Sequence, residues 1–193
     1  QDLAEVVDPN GPAMSSIVAD HYNPIIEKIV ALKKPVVAAV NGVAAGAGAN
    51  IALACDIVVA TESASFIQAF SKIGLVPDSG GSFFLPRLVG YQKALAITML
   101  GDKISATDAE KMGMIYKVFS AAEFEQESKA IAQQLATMPT AALGATKQLF
   151  QKSMTNNLSE QLAYEGELQT QSGQSEDFKG GVQAFLEKRA PVF

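Results

Sequence analysis

Two short runs, residues 35–40 (PVVAAV) and 56–60 (DIVVA), are apolar and valine-rich with none of the alternation of a half-exposed strand. Runs of that kind are strands covered on both faces, which a chain achieves by laying helices over a sheet. Between them stand a break at Asn41-Gly42, the segment Val43-Ala44-Ala45-Gly46-Ala47-Gly48-Ala49-Asn50, and a small-residue helix through Ala54. Residues 64–69 (ASFIQA) look like a third, short extended piece. Strands alternating with helices predict an α/β layer fold. A chain of 193 residues, 48% hydrophobic, buries a substantial core without a metal or disulfide staple. Its one cysteine, Cys55, excludes an internal disulfide framework and reads as an inert buried thiol.

Upstream, residues 4–12 read as a loop on the turn residues Asp8-Pro9-Asn10-Gly11-Pro12. Met14, Ile17, Val18, Tyr22, Ile25, Ile26, Ile29 and Val30 then recur at three- and four-residue steps, predicting an amphipathic helix over 14–32. Lys33-Lys34-Pro35 ends it, because proline disfavours helical geometry in the residue before it. Downstream, residues 74–87 form a loop entering a helix, and most of the remaining chain is helical. Ser105 caps a short helix ending near Gly113, and 114–119 reads as a strand. A helix from Ser120 or Ala121 stops before Pro139. Further helices cover about 140–154, 158–171 and 176–188, the last opened by Ser175 with Glu176 and Asp177 in its first turn. The prediction is a sheet-bearing region, 1–120, feeding a helical region, 121–193, too thin in core to stand alone.

A net charge of −5 argues against a nucleic-acid surface, which wants a basic stripe. No apolar run is long enough to cross a bilayer, and the first residues are not a signal peptide. A reducing cytoplasm is the expected setting. The chain opens on Gln1 without any lead-in, which predicts that the N-terminal part of the fold is missing.

Few residues can carry chemistry. Gly46-Ala47-Gly48-Ala49 lies between a strand and a helix, where small residues allow close backbone approach and free N–H groups attract negative charge. Such donors can form an oxyanion hole; tight helix-on-sheet packing needs the same residues. Asp78, in Pro77-Asp78-Ser79-Gly80-Gly81, stands where a loop becomes a helix. Asp78 or Ser79 can serve as an N-cap. Alternatively, Asp78 is a general base, flanked by Leu75, Val76, Phe83 and Phe84, which keep water away. His21 is the only histidine and assembles no triad or metal cluster. Asp56 reads as structural. Lys188-Arg189 reads as a solvated helix end that can also meet phosphate.

Taken in order, these segments resemble the crotonase (enoyl-CoA hydratase/isomerase) superfamily. Gln1-Asp2-Leu3 is similar to the tail of the family's first signature. KPVVAAVNGVAAGAGANIALACDIVVAT resembles the second, FIQAFSKIGLVPDSGGSFFLPRLVG the third, and GDKISATDAEKMGMIYKVF the segment beyond; AFLEKRAPVF resembles the closing helix. The resemblance implies a spiral of ββα units with a C-terminal helical trimerisation region, built into a homotrimer or a dimer of trimers. It implies a coenzyme A thioester as substrate, no cofactor beyond that coenzyme A moiety, and no nucleic-acid or membrane partner. Two backbone N–H groups would hold the thioester oxygen, one at Ala47 and one ahead of Gln1. By the same resemblance Asp2, Leu3, Phe185 and Lys188 meet coenzyme A, and Asn50, Phe70, Leu75 and Val76 meet the acyl group. Hydratases of the family keep two glutamates, and those positions hold Asn50 and Phe70. Asp78 instead occupies the site where some family isomerases keep an acidic base. The motif AFSKIGLVPDSGG, with NGVAAGAGAN upstream, is most similar to the branch that converts ring-1,2-epoxyphenylacetyl-CoA to an oxepin-CoA in phenylacetate degradation. A Δ3,Δ2-enoyl-CoA isomerase or hydratase-like enzyme, and a non-catalytic acyl-CoA-binding subunit, are the alternatives.

Overall fold

The computed structural model describes residues 2–193. Asp2 caps α1 (Leu3–Val7), its carboxylate accepting from Ala4 N at 2.9 Å. This helix lies where a loop was expected; its cap precedes the turn residues that suggested one. The amphipathic stretch forms α2 (Met14–Ser16), a π-helical turn over Ile17–Tyr22, and α3 (Asn23–Ala31). Then come β1 (Val37–Val40), β2 (Val43–Ala45), α4 (Ala47–Leu53), β3 (Ile57–Thr61) and β4 (Ser65–Ile67). A 3₁₀ turn, Ala69–Ile73, leads through a loop to α5 (Gly81–Val89) and α6 (Tyr91–Leu100). β5 (Lys103–Ser105), α7 (Ala106–Lys111) and β6 (Lys117–Phe119) complete the strand-bearing part. The rest is α8 (Phe124–Ala136), α9 (Thr140–Ser153), α10 (Leu158–Gly173) and α11 (Glu176–Leu186).

The strands form two three-stranded sheets. In the first, β3 lies between β1 and β6 and runs parallel to both, with Val37 beside Ile57 and Val59 beside Lys117. In the second, β4 pairs parallel with β2 and antiparallel with β5. β1 and β2 are separated by only Asn41-Gly42 yet belong to different sheets, so the chain steps from one to the other at that break. Asp56 ties the start of β1 down, its Oδ2 accepting from Val36 N at 2.8 Å.

The chain divides into two compact units. The first holds Val36–Ser128 with the segment up to Ala31; the second holds Leu32–Pro35 with Lys129–Phe193. The division falls inside α8, later than the end of the strands near residue 120. The first unit contains the core: Leu53, Val58, Phe66, Leu85, Ile104, Met114 and Ile115 pack with alanines of β3, α4, α6 and α7. In the second unit, α9 and α10 are joined at Asn157, which forms a reciprocal capping box with Glu160. Among the described residues, the buried apolar side chains there are Leu168 and Ala184.

Candidate active site

The site is built where α4 leaves the second sheet. Gly46 takes φ +54°, a left-handed conformation that costs glycine little, and its N–H donates to Ile67 O at 2.8 Å on the neighbouring strand. The turn places the Ala47 N–H in the first turn of α4, where no carbonyl of its own helix can reach it. Asn50 N then closes the turn onto Gly46 O at 3.1 Å. Under the turn lies Phe70: a Cβ on Gly46 would sit 3.6 Å from the tip of its ring. Phe70, expected against an acyl group, is therefore buried beneath the turn and supports the backbone that presents Ala47.

One helical turn beyond Ala47, Asn50 is wholly buried, at 0% exposure. Its Nδ2 donates to the main-chain oxygen of Asp78 at 2.9 Å, and its Oδ1 accepts from Gln68 Nε2 at 2.8 Å. Asn50 was expected among the substrate contacts; here both ends of its amide are engaged by the protein and none of its surface is exposed. Gln68, 2% exposed, was not singled out from the sequence. Its only signal there was a polar residue inside the apolar piece at 64–69.

Asp78 follows the loop Gly74–Pro77 and precedes two left-handed residues, Ser79 at φ +49° and Gly80 at φ +76°. The N-cap of α5 is Gly80, and no side chain caps it. The cap expected of Asp78 or Ser79 is thus not formed: two residues in left-handed geometry turn the chain between Asp78 and the helix. Asp78 Oδ1 and Ser79 Oγ are buried and have no hydrogen-bond partner among the described residues. A buried polar atom without a protein partner is costly, and Ser65 Oγ and Gln68 Oε1 share that property; a bound ligand or water satisfies such atoms.

Leu75 and Val76 line a cavity of about 420 Å³ with Pro77, Gly81, Leu85, Leu95 and Met99 among its other walls. The cavity is mostly apolar, and its lining brackets Asp78 in sequence on both sides. Ala47, Phe70, Asn50, Gln68 and the Asp78 backbone form one cluster; Leu75 and Val76 belong to the cavity.

The remaining candidates lie elsewhere. The Asp2 carboxylate is engaged in capping α1; the Leu3 side chain, like Gln1, lies outside the described residues. Phe185 is 81% exposed on α11. Lys188 closes that helix in a left-handed conformation, φ +56°, with its N–H on Phe185 O and Arg189 N on Ala184 O. This is the C-terminal geometry usually given to glycine. Arg189 pairs with Glu187 at 2.6 Å. Cys55 is half-buried rather than buried, its Sγ 3.4 Å from Ile51 O. His21 is exposed on the π-helical turn. No helix among the described residues is long and apolar enough to cross a membrane.

The family model for enoyl-CoA hydratase/isomerase matches residues 1–193. A probable enoyl-CoA hydratase of Rhodobacter capsulatus is 46% identical over 193 residues, covering all of this chain and 75% of its own length. The 1,2-epoxyphenylacetyl-CoA isomerase of Escherichia coli K12 is likewise 46% identical, over 196 residues, with 100% and 75% covered. Among solved structures, an enoyl-CoA hydratase/isomerase of Mycobacterium abscessus superimposes with a TM-score of 0.89 at 40% identity, over 92% of this chain and 68% of that one. The chain belongs to the enoyl-CoA hydratase/isomerase family and has the crotonase fold, whose enzymes act on coenzyme A thioesters.

Proposed function

We propose that this chain is an acyl-CoA isomerase that rearranges ring-1,2-epoxyphenylacetyl-CoA, with Asp78 as its base. The observation that carries the reading is the state of the carboxylates. Hydration needs two acids to position a water, and the two family positions hold Asn50, wholly buried, and Phe70, packed under the Gly46 turn. The carboxylate that remains, Asp78, has a buried oxygen with no partner among the described residues. The similarity to the E. coli isomerase supports the reading; the equal similarity to a probable hydratase supports only the family.

In this mechanism the Ala47 N–H donates to the thioester oxygen and stabilises negative charge as it develops there. The C–C bond shared by the epoxide and the six-membered ring breaks as the two ring double bonds shift, giving the seven-membered oxepin. Asp78 takes a proton from the carbon between thioester and ring and returns it to a ring carbon, so no atom is gained or lost. Because a carboxylate is a weak base for a C–H bond, oxyanion stabilisation and exclusion of water carry most of the rate, and proton transfer contributes about 10²–10⁴-fold. Phe185 and Lys188 would meet coenzyme A, and no cofactor beyond that moiety is called for. The exposed apolar side chains of α9 and α10 would be covered by trimer formation.

The second reading is a Δ3,Δ2-enoyl-CoA isomerase acting on straight chains, favoured by the apolar cavity at Leu75 and Val76. Full-length protein incubated separately with the ring epoxide and with a linear 3-enoyl-CoA separates these. A product of unchanged mass from the ring epoxide is expected. Turnover of the linear substrate alone would favour the second reading, a product heavier by one water would return the chain to the hydratases, and tight binding without turnover would make it a binding subunit.

A further inference from the structure

Asn50 and Gln68 are two amide side chains enclosed almost completely at the site, and their hydrogen bonds run in one direction. The Asp78 main-chain oxygen can only accept, so Asn50 must present its NH₂ there and its oxygen to Gln68, which must present its NH₂ in turn. Each amide orientation is therefore fixed by a backbone carbonyl at the end of the chain. The same carbonyl also accepts from Gly81 N at 2.9 Å, so it receives one bond from the α4 side chain and one from the start of α5. Gly81 has no room for a side chain: a Cβ there would lie 2.6 Å from Asn50 Cγ. Asn50 is thus wedged between the first turn of α5 and Gln68, with the Asp78 carbonyl as its third support.

A carboxylate could not make this arrangement. Aspartate or glutamate at position 50 has no donor when ionised, and would set negative charge against the lone pairs of the Asp78 carbonyl in a buried place. The amide that removes an acid from position 50 is the group that can hold the loop at 78. We propose that Asn50, braced by the hydrogen bond from Gln68, is a positioning residue for Asp78. It fixes the main chain of the residue whose carboxylate does the chemistry, across 28 positions of sequence, and makes no contact with substrate. This rests on the isomerase reading with Asp78 as base.

The test uses full-length protein carrying Asn50→Asp, which keeps the shape and replaces the donor, and Gln68→Met, which removes the second hydrogen bond of the Asn50 amide. Amide hydrogen exchange is followed across residues 77–82, and kcat and KM for an unsaturated acyl-CoA are measured with and without Asp78→Ala. Both variants are expected to speed exchange at Gly81 while β3 stays protected. A displacement of about 1 Å can cost about 10²-fold, and a fall of that order is expected in kcat for Asn50→Asp, with KM little changed. Gln68→Met is expected to fall less. On the Asp78→Ala background neither change should lower kcat further, because a residue that acts through Asp78 has nothing left to position. Unchanged exchange at 77–82 in both variants, or the same fold-loss on both backgrounds, overturns the proposal. Full activity of Asp78→Ala alone removes the base and with it the catalytic half of the proposal; the exchange pattern still upholds or sinks the loop-holding half.

Discussion

The two units of this chain solve the burial problem differently. The strand-bearing unit encloses Phe66, Leu85, Val59 and four polar side chains almost completely. The helical unit buries only Leu168 and Ala184 among its described apolar side chains and leaves Phe150 69%, Leu158 74% and Leu162 56% exposed. Leu149, Phe150 and Leu162 line a groove of about 560 Å³ between α9 and α10. Dense packing in the first unit holds a buried polar group to a few tenths of an ångström, which a chemical site requires. An exposed apolar face of this extent is instead the property of a surface that meets another surface. Close packing of polar groups thus belongs to the first unit, whereas exposed apolar side chains occur in both, Met99 and Leu100 among those of the first.

The comparison breaks first on core truncation. Leu85→Ala, in the strand-bearing unit, should cost about 2–5 kcal/mol in urea unfolding, whereas Leu162→Ala, in the groove, should leave the unfolding of the isolated chain within about 0.5 kcal/mol. Equal losses would erase the distinction between the units. In sedimentation the order should reverse, with Leu162→Ala weakening self-association and Leu85→Ala leaving any folded fraction assembled. Next in size is Gly81→Ala, which drives a methyl into the Asn50 amide and should cost about 1–3 kcal/mol by thermal melting. A neutral Gly81→Ala would mean that Asn50 can yield, and that the site is looser than its burial implies.

Smaller still, Asn157→Ala removes the cap of α10 and should cost about 1 kcal/mol, with exchange rising at the start of that helix alone. The least effect belongs to Glu187. Hydrogen bonds from Gln183 and then Arg189 hold its carboxyl below the usual value of 4.5. A carboxyl lowered in the folded state contributes stability above its ordinary value, and that contribution is lost as pH falls through the lower folded value. Glu187 is a solvent-exposed side chain, so Glu187→Gln should flatten the acid limb of the melting curve only slightly, and added salt should hide the difference. A large change would place Glu187 in an environment its exposure denies.

How far the sequence spoke depended on how local the cause was. β1 and β3 were legible because strands covered on both faces write their burial into consecutive residues. β2 and β5 were not: three residues each, they are strands only because β4 lies beside them, and Val43-Ala44-Ala45 alone reads as part of a glycine-rich turn. α1 was hidden by the proline and glycine just beyond it. At the candidate site, Asp78 stands out in the sequence as a candidate, but its surroundings do not. Its cap was a fair expectation until Ser79 and Gly80 took left-handed geometry, which no spacing rule announces. The engagement of Asn50 depends on Gln68, 18 positions away, and on a carbonyl 28 positions away, so only the folded chain brings them together.

Whether Asp78 is the base is decided by isomerase turnover of full-length wild-type and Asp78→Asn protein on ring-1,2-epoxyphenylacetyl-CoA and on a linear 3-enoyl-CoA. A fall of about 10²–10⁴-fold in kcat is expected on whichever substrate the wild type converts, with the melting temperature essentially unchanged. Undiminished turnover by Asp78→Asn would contradict it.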